Sequence, residues 1–169
     1  VNDTLEEFSL DALDDNVFNR IGEGWMLITA GGAAGFNMMT ASWGGLGVLW
    51  GRQVVFCFVR PSRYTFGFME KAGHFSLSFF AEEYRKDLSF CGEHSGREVD
   101  KAAETGLSPV FDPSGAVYFS QANLVLLSRK IYCQDIDPAH FLDESIAENY
   151  LNGDFHRMYI GEILRSLRK

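Results

Sequence analysis

The sequence predicts a mainly β protein with inserted helices, its strands forming a closed or partly split barrel. Three observations predict it. Short apolar segments separated by turn signals dominate the chain, and most successive ones could pair antiparallel. Residues 54–59 are apolar nearly throughout, as in a strand covered on both faces. Residues 123–134 set Val125 and Leu127 against Leu124 and Leu126, which makes both faces of another strand apolar.

The length of 169 residues fits one domain spanning 1–169, with residues 1–20 read as an N-terminal helical extension. A formal net charge of −8 argues against broad nucleic-acid binding, which needs a basic surface, while leaving room for a local basic pocket. Most of the 15 Phe, 6 Tyr and 3 Trp must be core, with some lining a ligand or subunit surface. Cys57, Cys91 and Cys133 make an odd count without a CxxC pair, so a disulfide scaffold is not expected and a reducing, cytoplasmic setting is. No long uncharged apolar run predicts a membrane span, and the acidic start lacks an export pattern.

Along the chain, Ser9 caps an expected helix whose apolar face is Leu10, Leu13, Val17 and Ile21, broken by Gly22 and Gly24. Residues 25–30 read as a buried strand, Gly31-Gly32 as a hairpin turn and 35–41 as the next strand. Gly44-Gly45-Leu46-Gly47 reads as a turn before the strand at 54–59. Pro61 suits a helix entry, with the helix running through Tyr64, Phe68 and Met69 to Ala72. In 75–80, Phe75, Leu77 and Phe79 alternate with Ser76 and Ser78, so one face is buried and the other wet or ligand-facing. A helix from Ala81 carries Tyr84, Leu88 and Cys91 at helical spacing, and residues 92–96 interrupt it. Asp100 is placed to pair with Lys101 or Arg97 at the surface. Residues 109–111 and 116–120 flank a strong Asp112-Pro113-Ser114-Gly115 turn. A small helix over 144–150 and a last strand over 157–167 follow, with Gly161 marking a bulge or a close backbone approach.

The chain is organised around residues 37–65. Thr40 and Ser42 sit two apart and share one face of an extended strand, with amides near Ser42, Trp43 and Gly44 beside them. That is either an anion site or an ordinary polar strand end. Arg60-Pro61-Ser62-Arg63-Tyr64-Thr65 adds helix-start amides and two arginine forks that suit a phosphate, or arginines that merely face water. The two stretches could face each other across a shared pocket. His74, His94, His140 and His156 form no HExxH or compact Cys/His cluster, so no metal is expected. Nucleophile-elbow, Walker and Rossmann motifs are absent, and Cys91 reads as core. A cofactor-dependent reaction needs fewer protein catalytic groups.

These motifs in this order resemble the flavin reductase-like family, whose members have an FMN-binding split β-barrel, and within it the flavoredoxin-like branch. The resemblance rests on Asn37-Met38-Met39-Thr40-Ala41-Ser42-Trp43, on Arg60 through Thr65, on Ser78-Phe79-Phe80, and on Cys91-Gly92 with Ser95-Gly96-Arg97-Glu98-Val99-Asp100-Lys101. Gly106-Leu107 and His156-Arg157-Met158-Tyr159-Ile160-Gly161-Glu162-Ile163 extend it over nearly all of 20–167; Ser78 stands where the family often carries Asn. The resemblance implies bound FMN near a homodimer interface. It implies phosphate contacts at Ser42, Arg60, Arg63 and Thr65, and ribityl or ring contacts at Thr40, Ala41 and Trp43. Phe58, Phe79 and Phe80 line the ring region, Tyr64 belongs to the helix entry, and Ser95, Gly96 and Arg97 come from a loop. His156 and Tyr159 complete the pocket. The implied activity is that of an FMN-dependent oxidoreductase, an NAD(P)H:flavin reductase using NADH or NADPH, with no catalytic side chain named. Electrons would leave to a redox partner protein or a diffusible flavin. The alternatives are electron transfer of the flavoredoxin kind, reduced by a protein partner, and a non-enzymatic flavin-binding protein.

Overall fold

The computed structural model describes residues 4–169 and is built on an 8-stranded antiparallel sheet with a separate two-stranded hairpin. The strands are β1 (Glu6–Glu7), β2 (Met26–Gly32), β3 (Gly35–Ala41), β4 (Gly44–Leu49), β5 (Arg52–Val59), β6 (His74–Phe79), β7 (Pro109–Phe111), β8 (Val117–Phe119), β9 (Leu124–Asp135) and β10 (Arg157–Arg168). The helices are α1 (Tyr64–Lys71), α2 (Arg85–Glu93) and α3 (Lys101–Thr105), with short 3-10 turns between them. Strand order is β3-β2-β6-β9-β10-β5-β4, with β1 added to β10. The two ends of that path, β3 and β4, are consecutive in the chain. The sheet therefore curls back towards itself, and among the described residues its ladder stays open between them. This is the expected split barrel.

Period-two alternation makes two apolar layers from this one sheet. Met26, Ile28 and Ala30 of β2, Phe75, Leu77 and Phe79 of β6, and Leu124 and Leu126 of β9 point inward with Val55, Cys57, Val59 and Tyr159. Their neighbours Leu27, Met38, Val125 and Leu127 point the other way, under Leu88 and Cys91 of α2 and Ala116 and Phe119 around β8. The serine face of β6 is thus neither wet nor ligand-facing: Ser76 and Ser78 are buried, and Ser76 Oγ donates to Val117 O at 2.6 Å. The β7–β8 hairpin covers that face, which alternation alone could not reveal.

Other local expectations shift for physical reasons. The helix expected over 10–21 is a 3-10 turn, Leu10–Ala12, capped by Ser9, and a π turn, Asn19–Glu23; Leu10, Leu13, Val17 and Ile21 still pack on the inner core. The chain turns at residues 33–34, while Gly31 lies inside β2 at φ +105, where a Cβ would meet Gly35 O at 2.4 Å. Gly44 to Gly47 are strand; the reversal comes at Trp50 (φ 53) and Gly51 (φ 70), between paired Leu49 and Arg52. Glycine opens β4 because a Cβ at Gly44 would meet Phe56 O at 2.7 Å and Met26 Cε at 2.9 Å. Helix α2 runs past Gly92, and Asp100 caps α3 through the amides of Ala102 and Ala103 instead of pairing with Lys101.

Gly161 combines both features expected of it. The β9–β10 register slips between Ile160 and Gly161, and a Cβ there would meet the Phe75 ring at 2.6 Å and Ser128 Cβ at 2.8 Å. Gly161→Ala therefore overpacks the core and is expected to cost about 1–3 kcal/mol. Gly22→Ala, with nothing within 4 Å, is expected to stay within about 0.5 kcal/mol of the parent. Urea unfolding of the two variants checks the contrast.

Candidate functional site

The turn from β5 into α1 is tied down on two flanks. On one, Arg60 donates to Asp154 O and Asn149 O, both at 2.9 Å, and lies over the Tyr150 ring. The carboxylate of Asp154 in turn accepts from Ser62 N at 3.2 Å and from Ser62 Oγ. On the other flank, Arg63 Nη2 donates to Gly92 O at 2.7 Å, and buried Thr65 accepts from Asn37 Nδ2 at 2.8 Å. Arg60 and Arg63 thus diverge. Arg60 faces the loop after β9, and Arg63 faces the end of α2.

A cavity of about 330 Å³ opens at the Arg63 flank, lined among others by Asn37, Thr65, Ser95, Gly96, Arg97 and Lys101. Gly96 has to be small, since a Cβ there would meet Asn37 Oδ1 at 2.1 Å. Arg97 stacks over the Tyr64 ring at 4.8 Å, and the Arg97 amide donates to Ser95 Oγ at 3.2 Å. Lys101 is buried; its Nζ donates to Met38 O at 2.9 Å and Cys91 O at 2.7 Å, which ties β3 to the last turn of α2. Burial, helped by the Arg63 charge, pulls the Lys101 ammonium down to about 8. Burial also lowers Arg63 from its ordinary value. Glu93 and Glu98 border the cavity, yet among the described residues no carboxylate forms an ion pair with Arg63, Arg97 or Lys101. Helix α1 begins without a side-chain cap, so its first amides carry no side-chain acceptor.

The Thr40–Ser42 end does not share that cavity. Thr40, Ala41 and Ser42 border a second cleft of about 230 Å³ with Trp25, Leu88, Ser89, Gly92 and Glu93. Thr40 Oγ1 donates to Leu88 O, so this hydroxyl already has a partner. The last turn of α2 separates the two clefts: Gly92 meets Thr40 on one side and Arg63 on the other. The single shared pocket expected from sequence is therefore two adjacent ones, with Arg60 outside both.

The remaining residues fall in three places. Trp43, 45% exposed, leans on the His156 imidazole at 5.1 Å, and Phe58 presents its edge to the same ring at 6.4 Å. Phe79 and Phe80 are buried and border a separate cleft with Arg20 and Trp25. Tyr159 lies wholly in the inner core, where its hydroxyl donates to Glu70 Oε1 at 2.6 Å. Sequence reasoning left Asn37, Lys101 and Tyr150 out of the site. Asn37 and Lys101 stood inside the quoted motifs, so their signal was present; Tyr150 had none. Cys91 is fully buried, and burial pushes its thiol up to about 11, which keeps it inert as a nucleophile.

Comparison with known proteins agrees with the architecture. Residues 18–165 match the flavin reductase like domain, and the chain belongs to that family. No curated protein matches the sequence. Among solved structures, an FMN-binding protein from Thermus thermophilus with bound p-hydroxybenzaldehyde superposes with a TM-score of 0.70 at 19% identity, covering 97% of this chain and 81% of that one. A flavoredoxin from Methanosarcina acetivorans gives 0.68 at 21% identity, covering 97% and 76%. An NADH:FAD oxidoreductase from Streptomyces globisporus gives 0.66 at 19%, covering 86% and 75%. These likenesses show the fold, a multi-stranded split β-barrel with inserted helices. Among the described residues, no helix is long and apolar enough to cross a membrane.

Two outcomes follow from this geometry. Thr65→Val leaves the buried Asn37 amide without its acceptor and is expected to cost about 1–3 kcal/mol in chemical unfolding. His156 is held below its ordinary value of 6.5, at about 4, by burial first and by the Arg60 charge second. Between those two values the unfolded chain binds a proton that the folded chain refuses, so stability falls as pH drops through that window. His156→Gln is expected to flatten that acid limb when unfolding is followed from pH 7 down to pH 4 (about neutral to about the folded value).

Proposed function

We propose that this chain binds FMN and acts as an FMN-dependent oxidoreductase, with NAD(P)H:flavin reductase as its reaction. One observation carries the reading: Arg63, Arg97 and Lys101 border one cavity at an uncapped helix start, with no carboxylate among the described residues in an ion pair with any of them. Half-buried Arg63 and buried Lys101, with exposed Arg97 beside them, favour an anion, and a phosphate monoester also answers a helix start that has no side-chain cap. Ser95, Gly96 and Thr65 line the same cavity. The neighbouring cleft at Thr40, Ala41 and Ser42, with the exposed ring of Trp43 beyond it, suits the ribityl chain and the flat ring. Family membership and the FMN-binding and flavoredoxin proteins among the structural relatives support the same cofactor.

Bound FMN would supply a ring that accepts hydride from NADH or NADPH. The chain's part is to hold the phosphate, exclude water from the ring through Trp43 and Phe58, and offer backbone donors at residues 41–44. No side chain needs to act as acid or base. The NADH:FAD oxidoreductase among the relatives favours nicotinamide as reductant, whereas the flavoredoxin favours reduction by a protein partner.

A homodimer is part of the proposal. Register places Phe56, Phe58, Met158 and Tyr132 on the outer face of β5, β10 and β9, where they are half-buried or exposed. The glycines of β4 leave it shallow, and Trp50 and Val48 stand exposed at its end. A second copy would bury this apolar surface. The free thiols of Cys57, Cys91 and Cys133 support a reducing, cytoplasmic setting.

The deciding experiment is anaerobic titration of the FMN-loaded protein with each nicotinamide, followed by its visible spectrum. Bleaching by NADH or NADPH supports the reductase; bleaching only by a reduced protein partner replaces it with the electron-transfer reading. Failure to take up FMN sinks both. Arg63→Ala and Lys101→Met are expected to weaken FMN about 10- to 100-fold while leaving riboflavin, which lacks the phosphate, nearly unchanged.

A further inference from the structure

His156 sits in a nest that the phosphate-type cavity does not use. Its Nδ1 lies 2.9 Å from Tyr150 Oη, and both residues are more than nine-tenths buried, at 8% and 7% exposure. The Tyr150 ring is wedged between the Arg60 guanidinium, at 5.0 Å, and the rings of Phe141 and Phe155, at 5.9 and 4.9 Å. Arg60 is itself fixed by two carbonyls. The hydroxyl therefore has little freedom to swing away from the imidazole.

The direction of that hydrogen bond follows from what each partner can do. A buried phenol needs an acceptor for its O–H, and Tyr150 has no other one among the described residues. Burial raises the Tyr150 phenol, so it stays protonated. Burial and Arg60 keep the imidazole neutral near pH 7, and a neutral imidazole carries one N–H. With Nδ1 accepting, the proton sits on Nε2. His156 Nε2 has no partner among the described residues, yet it is not among their buried unpartnered atoms, so it reaches the surface. Trp43 stands beside the imidazole ring with nearly half its surface open. The other charged groups that act on the imidazole are Arg60 at the end of β5 and Asp154 in the loop.

We propose that Tyr150 is a positioning residue that locks His156 as the Nε2–H tautomer, so that a neutral N–H donor stands beside Trp43, ready for a carbonyl oxygen on a flat ring seated there. Such an oxygen occurs on the flavin ring and on the carboxamide of a nicotinamide. The ring-donor half rests on the flavin reading above; the tautomer half does not.

Long-range 1H–15N spectra of the full chain near neutral pH test this, with His156 assigned from the signals lost in His156→Gln. The expected pattern without ligand is a protonated Nε2 and a bare Nδ1. Tyr150→Phe should give a mixture of tautomers at His156 and leave the other histidines unchanged. A protonated Nδ1 in the parent, or an unaltered pattern in Tyr150→Phe, overturns the proposal; the parent spectrum decides even if the variant fails to fold. A shift of the Nε2 signal on adding FMN assigns the acceptor to the flavin. A shift only on further addition of NAD+ assigns it to the carboxamide. No shift in either arm, while flavin fluorescence reports binding, removes the donor role. If fluorescence reports no FMN uptake, the cofactor reading and the donor role fall together, and the tautomer assignment is still decided by the ligand-free spectra.

Discussion

Asp154 and Arg60 tie the loop before β10 to the turn before α1, and the layout of the candidate site depends on that clamp. The Asp154 carboxylate takes both the amide and the hydroxyl of Ser62, while Arg60 takes two carbonyls of the same loop. Charge-assisted bonds of this kind are stronger than neutral ones and fix direction as well as distance. They bring Tyr150 and His156 from one flank to within reach of Trp43. They also commit Arg60 to the scaffold, which leaves Arg63 as the arginine of this turn that faces the neighbouring cavity.

The charge pattern is local. The chain carries a net −8, yet Arg63, Arg97 and Lys101 converge where two of them lose hydration. Backbone carbonyls satisfy both, Gly92 O for Arg63 and Met38 O with Cys91 O for Lys101, but carbonyl dipoles leave the positive charge of the cluster uncancelled. Lys101 adds a mechanical part: its ammonium joins the backbone of β3 to the last turn of α2, the turn that separates the two clefts.

The legible parts of the sequence were those where one residue's chemistry decides its own surroundings. Alternating apolar residues in β6 and doubly apolar β9 declared their strands, and Pro61 with the following residues declared α1. β4 was illegible because its glycines answer to Met26 and Phe56, which are distant in sequence or across the ladder. The serines of β6 read as a polar face because nothing local announces the hairpin lying over them. In the site, Arg63, Ser95, Gly96 and Arg97 were marked by motif, and the structure gathers them around one cavity. The carbonyls that hold Arg60 were out of sight in the sequence, since they lie about ninety residues downstream. Tyr150 was invisible for the same reason: an aromatic in a loop has no pattern, and only its bond to His156 gives it meaning.

The tryptophans occupy three unlike settings. Trp25 lies beneath the Arg85 guanidinium at 4.2 Å, Trp50 meets Tyr132 edge-on at 6.0 Å, and Trp43 leans on His156 with much of its surface open. An indole against an imidazole responds to that imidazole's charge. The molecule thus carries an intrinsic optical gauge of the His156 charge at Trp43, whereas Trp25 and Trp50 stand against Arg85 and Tyr132 instead.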